Sequence, residues 1–306
     1  MMTLVFPGQG SQYPGMGKDL ADNFPVARQV FEEANDALGF DLARLCFAGS
    51  EADLKLTANT QPAILTVSIA ALRALQQEME LAPAYAAGHS LGEYSALVAA
   101  GVLSFADAVR TVRQRGTFMQ EAVAVGAGAM AAVMGIDGTE LEQLCHDAAQ
   151  GEVVTPANFN SPGQVVIAGH AAAVERAMAL ARERGAKRAL LLPVSAPFHC
   201  ALMAPAAQRL EEVLARVAVS AFAYPVVTNV EAVPCADEQR VKGLLVEQVC
   251  APVRWDASIA ECERLGVTRY IEVGPGKVLS GLIKRIQRGA VADQVGDVDS
   301  LAKLSR

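Results

Sequence analysis

The chain has 306 residues, 52% hydrophobic and 19% charged, which is enough for one large core or for a main domain carrying a smaller insertion. Its net charge of −7 argues against a nucleic-acid partner, which demands a basic face to neutralise phosphates. The longest apolar stretches, Ala63 to Leu75 and Ala122 to Met134, are interrupted and too short to cross a bilayer, so no membrane span is expected.

The amino terminus, Met1 to Pro7, lacks the basic patch and long apolar run of a secretion signal and reads as a strand entering a turn, which implies a cytoplasmic protein. Short apolar strands then alternate with helical stretches. Thr3 to Phe6 is followed by Val26 to Leu38, Pro62 to Met79, a strand at Ala84 to Ala87 and a helix at Glu93 to Ala100. The alternation predicts an α/β protein with a largely parallel sheet. Ser104 followed by Asp107 is an acidic capping box, predicting a helix from Ser104 to about Val123.

After the bend Val125-Gly126-Ala127-Gly128 the rhythm changes. Strand Met130 to Gly135, helix Thr139 to Gln150, strands Val153 to Asn158 and Gln164 to Ala168, helix Ala171 to Arg184 and strand Arg188 to Val194 give the order βαββαβ, a ferredoxin-like arrangement. Asn160-Ser161-Pro162-Gly163 turns its middle hairpin. The expected division is 1–127 and 195–306 for the main domain and 128–194 for the inserted subdomain. Strands at Val226 to Val230 and Thr268 to Val273 complete the main sheet, and the polar, glycine-containing end of the chain is expected to fray.

The six cysteines, Cys46, Cys145, Cys200, Cys235, Cys250 and Cys262, show no Cys-x-x-Cys spacing and suit reduced thiols; no metal site is expected. The sharpest signal is Gly88-His89-Ser90-Leu91-Gly92 between a strand and a helix, the setting of a nucleophile elbow. Glycines allow the strained turn that lifts the serine hydroxyl out of the sheet, and the helix N-terminus beneath favours an oxyanion. The alternative is a serine that merely caps the helix.

A serine needs a base, and of the four histidines His199 lies where the inserted segment rejoins the main one, at a seam suited to a cleft. His146 and His170 read as surface residues. His89 is too near in sequence to fold back on Ser90 and is expected to pack under the turn. Phe6-Pro7-Gly8-Gln9-Gly10-Ser11-Gln12 follows the first strand and is either an anion-facing loop or an ordinary β-α turn. Gly126, Gly128 and Ala131 fit a loose dinucleotide pattern, but they follow a helix and precede a strand, the wrong order for such a site. Arg110, Arg113 and Arg115 share one helix; a buried guanidinium among them would bind both oxygens of an acyl carboxylate, and spacing leaves the choice open.

Together these motifs resemble the malonyl-CoA:acyl carrier protein transacylases and the acyltransferase domains of polyketide synthases. The resemblance runs almost end to end, through Phe6 to Gln12, Asn59-Thr60-Gln61-Pro62-Ala63, Gly88 to Tyr94, Arg115-Gly116, Asn158 to Gln164, Phe198-His199 and Glu272-Val273-Gly274-Pro275-Gly276. It implies an α/β-hydrolase-like main domain with Ser90 as nucleophile, His199 as base and the main-chain carbonyl of Gln248 orienting the imidazole. It further implies the amides of Gln9 and Leu91 as oxyanion hole, Arg115 as clamp on the malonyl carboxylate, and Gln61 and Met119 lining the acyl pocket. Asn158 and Asn160 would face the pantetheine arm, and Phe198 would disfavour a branched acyl group.

The implied reaction moves malonyl from malonyl-CoA to holo acyl carrier protein by a ping-pong route, with the coenzyme A thioester as substrate and no cofactor. Lys187, Arg188, Lys284 and Arg285 are candidates for guiding an acidic carrier, or simply a solvated face. The rivals are a carrier from a polyketide line or a malonate decarboxylase, a serine hydrolase, and a non-catalytic scaffold that kept the fold. The hydrolase reading lacks a later acidic partner in the order Ser, Asp, His.

Overall fold

The computed structural model describes residues 1–194 and 196–304, so Ser195, at the expected domain boundary, lies outside the described residues. In chain order its strands are β1 (Met2–Phe6), β2 (Tyr85–Gly88), β3 (Gly128–Met134), β4 (Val154–Ser161), β5 (Gln164–His170), β6 (Arg188–Leu191), β7 (Val226–Val227), β8 (Pro234–Cys235), β9 (Val253–Arg254), β10 (Arg269–Val273) and β11 (Val291–Val295). They form two sheets. The larger has the order β11-β10-β1-β2-β7-β8, parallel throughout except for the antiparallel edge strand β8.

Burial explains why this sheet is covered on both sides. Leu4, Phe6, Ala86, Val226, Ile271 and Val273 enter one apolar cluster, whereas the alternating residues Val5, Ala87, Val227 and Tyr270 enter another. Side chains on a strand alternate in direction, so continuous apolar strands demand helices on both faces. One face receives helices Thr57–Glu78 and Phe105–Glu121; the other receives Trp255–Arg264 and Val278–Ile286.

The smaller sheet has the order β6-β3-β5-β4-β9. Its strands β3 to β6 are antiparallel neighbours, and β9, which arrives from much later in the chain, extends it parallel to β4. Ala131, Val133, Val165 and Ile167 pack against helices Gly138–Ala149 and Ala171–Glu183. The opposite face, with Met130, Ala132, Val166 and Ala168, joins the core of the main sheet. The segment therefore seats its sheet directly on the body of the molecule.

Most expected elements appear, with informative differences. The helix expected from Pro62 begins at Thr57, so that Pro62 lies inside it; there it lacks only a bond in the second turn, and Thr60 Oγ1 donates to the Leu56 carbonyl. As far as residue 304, the last described, the end of the chain does not fray. Parallel pairing of β11 with β10 places Val295 in the core, the helix Val298–Leu304 buries Leu301, and the Val298 amide donates to Asp19 Oδ2. Two buried side chains and this part-buried hydrogen bond outweigh a polar composition. Val226 to Val230 shortens to β7 because the chain turns back at once to pair with β8.

Candidate active site

Neighbouring strands β1 and β2 run parallel, so their carboxyl ends bring Pro7-Gly8-Gln9 and Gly88-His89-Ser90 side by side, at the edge where open α/β sheets bind ligands. The turn after β2 is so tight that a Cβ on Gly88 would lie 1.9 Å from Gly92 backbone, and one on Gly92 would lie 2.1 Å from the Phe6 carbonyl. Both positions therefore require glycine. Ser90 itself sits at φ 52°, a left-handed conformation that costs a non-glycine residue about 1–3 kcal/mol. Asn229 holds it there: Ser90 N–H donates to Asn229 Oδ1 (2.6 Å) and Asn229 Nδ2 donates to the Gly88 carbonyl (2.6 Å).

From across the cleft, His199 Nε2 accepts the Ser90 hydroxyl at 2.8 Å. Its Nδ1 donates to the main-chain carbonyl of Gln248, also at 2.8 Å. A carbonyl can only accept, so the proton resides on Nδ1 and Nε2 is left as the base. His199 is 4% exposed, and burial, followed by the positive charge of Arg115, pushes its pKa down to about 3 against the pull of the Gln248 carbonyl. The imidazole is neutral at any ordinary pH. His199 is also left-handed, at φ 60°, so both partners of this hydrogen bond are strained.

Arg115 completes the centre at 1% exposure. Its Nη1 donates to Gln61 Oε1 (2.8 Å), and its Nη2 to Gln248 Oε1 (2.9 Å) and to Ser90 Oγ (3.1 Å). The guanidinium lies 5.6 Å from the centre of the Tyr94 ring, a cation–π distance. Helix register selects it over its neighbours, because Ala108, Val112, Arg115 and Met119 recur at steps of three and four along the buried stripe of Phe105–Glu121. Arg110 instead reaches Asp107 at the surface, and half-buried Arg113 bonds Asn59 and lies over Phe40.

Around this centre is a cavity of about 110 Å³ lined by Gln9, Gln61, Leu91, Met119, Asn158 and Phe198 among others. It meets a second cavity of about 210 Å³ at Gln9, His89, Asn158 and Leu192, whose outer wall carries Asn160, Gln164 and Val278. Among the described residues the Gln9 and Leu91 amides donate to no protein acceptor. Both cavities straddle the main sheet and the smaller one.

Every residue expected at the site lines one of these cavities except Gln248, which reaches the site through its carbonyl and its carboxamide. His89 departs from expectation: rather than packing under the turn it faces both cavities, and its Nε2 is 2.8 Å from Asn160 Oδ1. His146 is exposed, and His170 Nδ1 accepts the Val153 amide at the small sheet. Sequence reading missed Asn229, Glu93 and the side chain of Gln248. Asn229 carries no local signal. Glu93 does, since a carboxylate at the head of the largely apolar helix Gly92–Ala99 needs a buried partner.

Residues 3–303 match the acyl transferase domain family. The chain is 52% identical over 298 residues to the malonyl CoA-acyl carrier protein transacylase of Escherichia coli K12, covering 97% of this chain and 96% of the relative, and 49% identical over 301 residues to that of Bacillus subtilis 168, covering 98% and 95%. Among solved structures it resembles an acyl carrier protein S-malonyltransferase from Vibrio cholerae, with a TM-score of 0.97, 51% identity and 99% of each chain covered. It also resembles a malonyl-transacylase solved with a type II PKS acyl-carrier protein, at TM-score 0.96, 49% identity and coverage of 99% and 98%. The chain thus belongs to the acyl transferase domain family and, within it, to the malonyl CoA-acyl carrier protein transacylases.

Proposed function

We propose that the chain transfers malonyl from malonyl-CoA to the phosphopantetheine thiol of an acyl carrier protein through a malonyl ester on Ser90, supplying fatty acid synthesis. The observation that carries this is the convergence of His199 Nε2 (2.8 Å) and Arg115 Nη2 (3.1 Å) on one serine oxygen. A base and a carboxylate clamp at the same hydroxyl select an acyl group that ends in a carboxylate. A neutral acetyl group would leave the buried guanidinium without a counter-charge.

In the first half-reaction Ser90 Oγ attacks the thioester carbonyl while its proton passes to His199 Nε2, and the developing oxyanion faces the amides of Gln9 and Leu91. The C–S bond breaks and His199 returns the proton to the departing thiolate. The malonyl carboxylate takes over Arg115 Nη2 from Ser90 Oγ, which frees the oxygen lone pair for attack. In the second half-reaction a carrier thiol gives its proton to His199, its sulfur forms the new thioester, and the C–Oγ bond breaks with the proton restored to Ser90. The coenzyme A thioester is a substrate, and these steps draw on side chains and main-chain amides alone.

Gln61 and Met119 bound the acyl pocket, Phe198 crowds an α-branch, and Asn158 and Asn160 face the outer cavity suited to a pantetheine arm. We assign 1–127 and 195–306 to an α/β-hydrolase-like catalytic domain and 128–194 to a ferredoxin-like subdomain; the β6-β3-β5-β4 order supports the latter. Lys187, Arg188, Lys284 and Arg285 would guide an acidic carrier, with Arg285 already bridging to Gln164 of the smaller sheet (2.7 Å). No helix among the described residues is long and apolar enough to cross a membrane. A polyketide carrier is the second reading, favoured by the resemblance to a transacylase captured with such a carrier.

Intact mass after brief incubation with malonyl-CoA tests the proposal. A malonyl-sized adduct is expected, absent in Ser90→Ala and discharged by holo acyl carrier protein. An adduct that water removes as fast as the carrier does would instead make the chain a hydrolase.

A further inference from the structure

Glu93 takes no part in the steps above and lines neither cavity, yet it is 2% exposed and bonds two residues that hold the site together. It occupies the first turn of the helix Gly92–Ala99, where the helix dipole favours a carboxylate. Its Oε2 accepts from the Asn229 amide (3.0 Å) and from Gln248 Nε2 (2.7 Å). The same Gln248 nitrogen donates to the Ser90 carbonyl (3.1 Å), and the Gln248 oxygen accepts from Arg115 Nη2 (2.9 Å). One carboxamide therefore joins the carboxylate, the nucleophile's backbone and the clamp.

The chemistry of the partners fixes the sense of that amide. Arg115 can only donate, so it must meet the oxygen; the Ser90 carbonyl and the ionised Glu93 carboxylate can only accept, so they must meet the nitrogen. The charge-assisted bond from Glu93 is the strongest constraint on the nitrogen side. Arg115 has no carboxylate within ion-pair distance among the described residues; three neutral oxygens hold its plane, and once the substrate carboxylate displaces Ser90 Oγ only the two of Gln61 and Gln248 remain. Loosen the Gln248 amide and one of the two is lost.

We propose that Glu93 is a positioning residue for acyl selectivity, acting through the Gln248 carboxamide to hold the Arg115 guanidinium in the orientation that receives the substrate carboxylate. It touches neither substrate nor Ser90 Oγ. The inference rests on the malonyl-transfer reading, because its readout is the preference for malonyl over acetyl. That preference separates orientation of the clamp from general loosening of the site, which would slow both acyl groups alike.

The experiment compares acyl-Ser90 formation from malonyl-CoA and from acetyl-CoA in the wild type, Glu93→Ala, Glu93→Gln and Glu93→Asp, with melting temperature measured on each. In Glu93→Ala the malonyl-to-acetyl ratio is expected to fall about tenfold or more, as for loss of other groups that orient a ligand-holding residue. Glu93→Asp, whose carboxylate is drawn back by one methylene, is expected to lose ratio in the same direction and serves where the alanine variant does not fold. Glu93→Gln keeps an oxygen for both donors, so its ratio should stay within about fivefold of the wild type, neutral bonds being about half as strong. An unchanged ratio in folded Glu93→Ala or Glu93→Asp, equal loss with both acyl groups, or a Glu93→Gln no better than Glu93→Ala would overturn the proposal. If the wild type itself forms no malonyl-serine, it is the function reading that fails.

Discussion

On one side of the cleft Ser90 rides a turn whose determinants lie within a few residues: strand β2, the glycines at 88 and 92, and the helix that follows. On the other side His199 stands outside any helix or strand, and what orients it is the carbonyl of Gln248, 49 residues later in the chain. Strain is present on both sides, at φ 52° and φ 60°, but it is relieved differently. The serine turn is bolted to the chain just beyond β7 through Asn229, whereas the histidine ring, apart from its bond to Ser90, is tied chiefly by the one to the Gln248 carbonyl. Disruption of the serine side should therefore register in stability, and disruption of the histidine side almost wholly in rate.

The largest expected effect tests this directly. His199→Ala should slow malonyl-serine formation about a thousandfold, the loss typical of a general base, while shifting the melting temperature by no more than about 3 °C. Quenched-flow acylation with calorimetry measures both, and a large loss of stability would erase the contrast. Next in size is Arg115→Ala, for which malonyl transfer should fall about a hundredfold relative to acetyl transfer as charge-assisted bonds to the carboxylate disappear.

The same contrast explains what could be read from the chain. The elbow, the capping box at Ser104 and the helix order are local patterns, so they were legible, as was the βαββαβ order of the smaller sheet. Arg115 was legible too, had the three arginines been set on the stripe of Ala108, Val112 and Met119. Asn229 was not: its partners are Ser90 and Gly88, 139 and 141 residues away, and neighbouring sequence says nothing of them. Strand β9 was invisible for a like reason, being two residues long and recruited by β4 across the molecule.

Asn229 provides the test on the serine side. Asn229→Ala leaves the Ser90 N–H and the Gly88 carbonyl without partners, each omission costing about 1–3 kcal/mol. A fall in melting temperature of about 4–10 °C is expected, with acylation slowed by about 10–100-fold as the hydroxyl drifts from His199. A variant that lost rate without stability would show that the turn needs no bolt. A smaller effect is expected at Phe198, which is 7% exposed beside His199. Phe198→Ala should raise methylmalonyl transfer relative to malonyl by roughly tenfold, the scale of discrimination by a hydrophobic wall.

The last contrast concerns pH, and here the two sides of the cleft carry opposite signs. Burial holds His199 at about 3, below the usual 6.5, so the native state keeps it neutral while the unfolded chain binds a proton below 6.5. Its contribution to stability is complete above 6.5 and is lost progressively as pH falls toward 3. Burial raises Glu93 from 4.5 to about 7, against the opposing hydrogen bonds of Gln248 and Asn229 and the charge of Arg115. Its contribution is complete below 4.5 and is lost as pH rises through 7. Between 4.5 and 6.5 the two slopes oppose each other. Melting temperatures from pH 4.5 to 8 should therefore show Glu93→Gln gaining on the wild type as pH rises from 4.5 to about 7, and His199→Ala gaining as pH falls below 6.5. Difference curves that stay flat for both variants would mean that neither group changes its proton affinity on folding, and the electrostatic part of the contrast would fall with them.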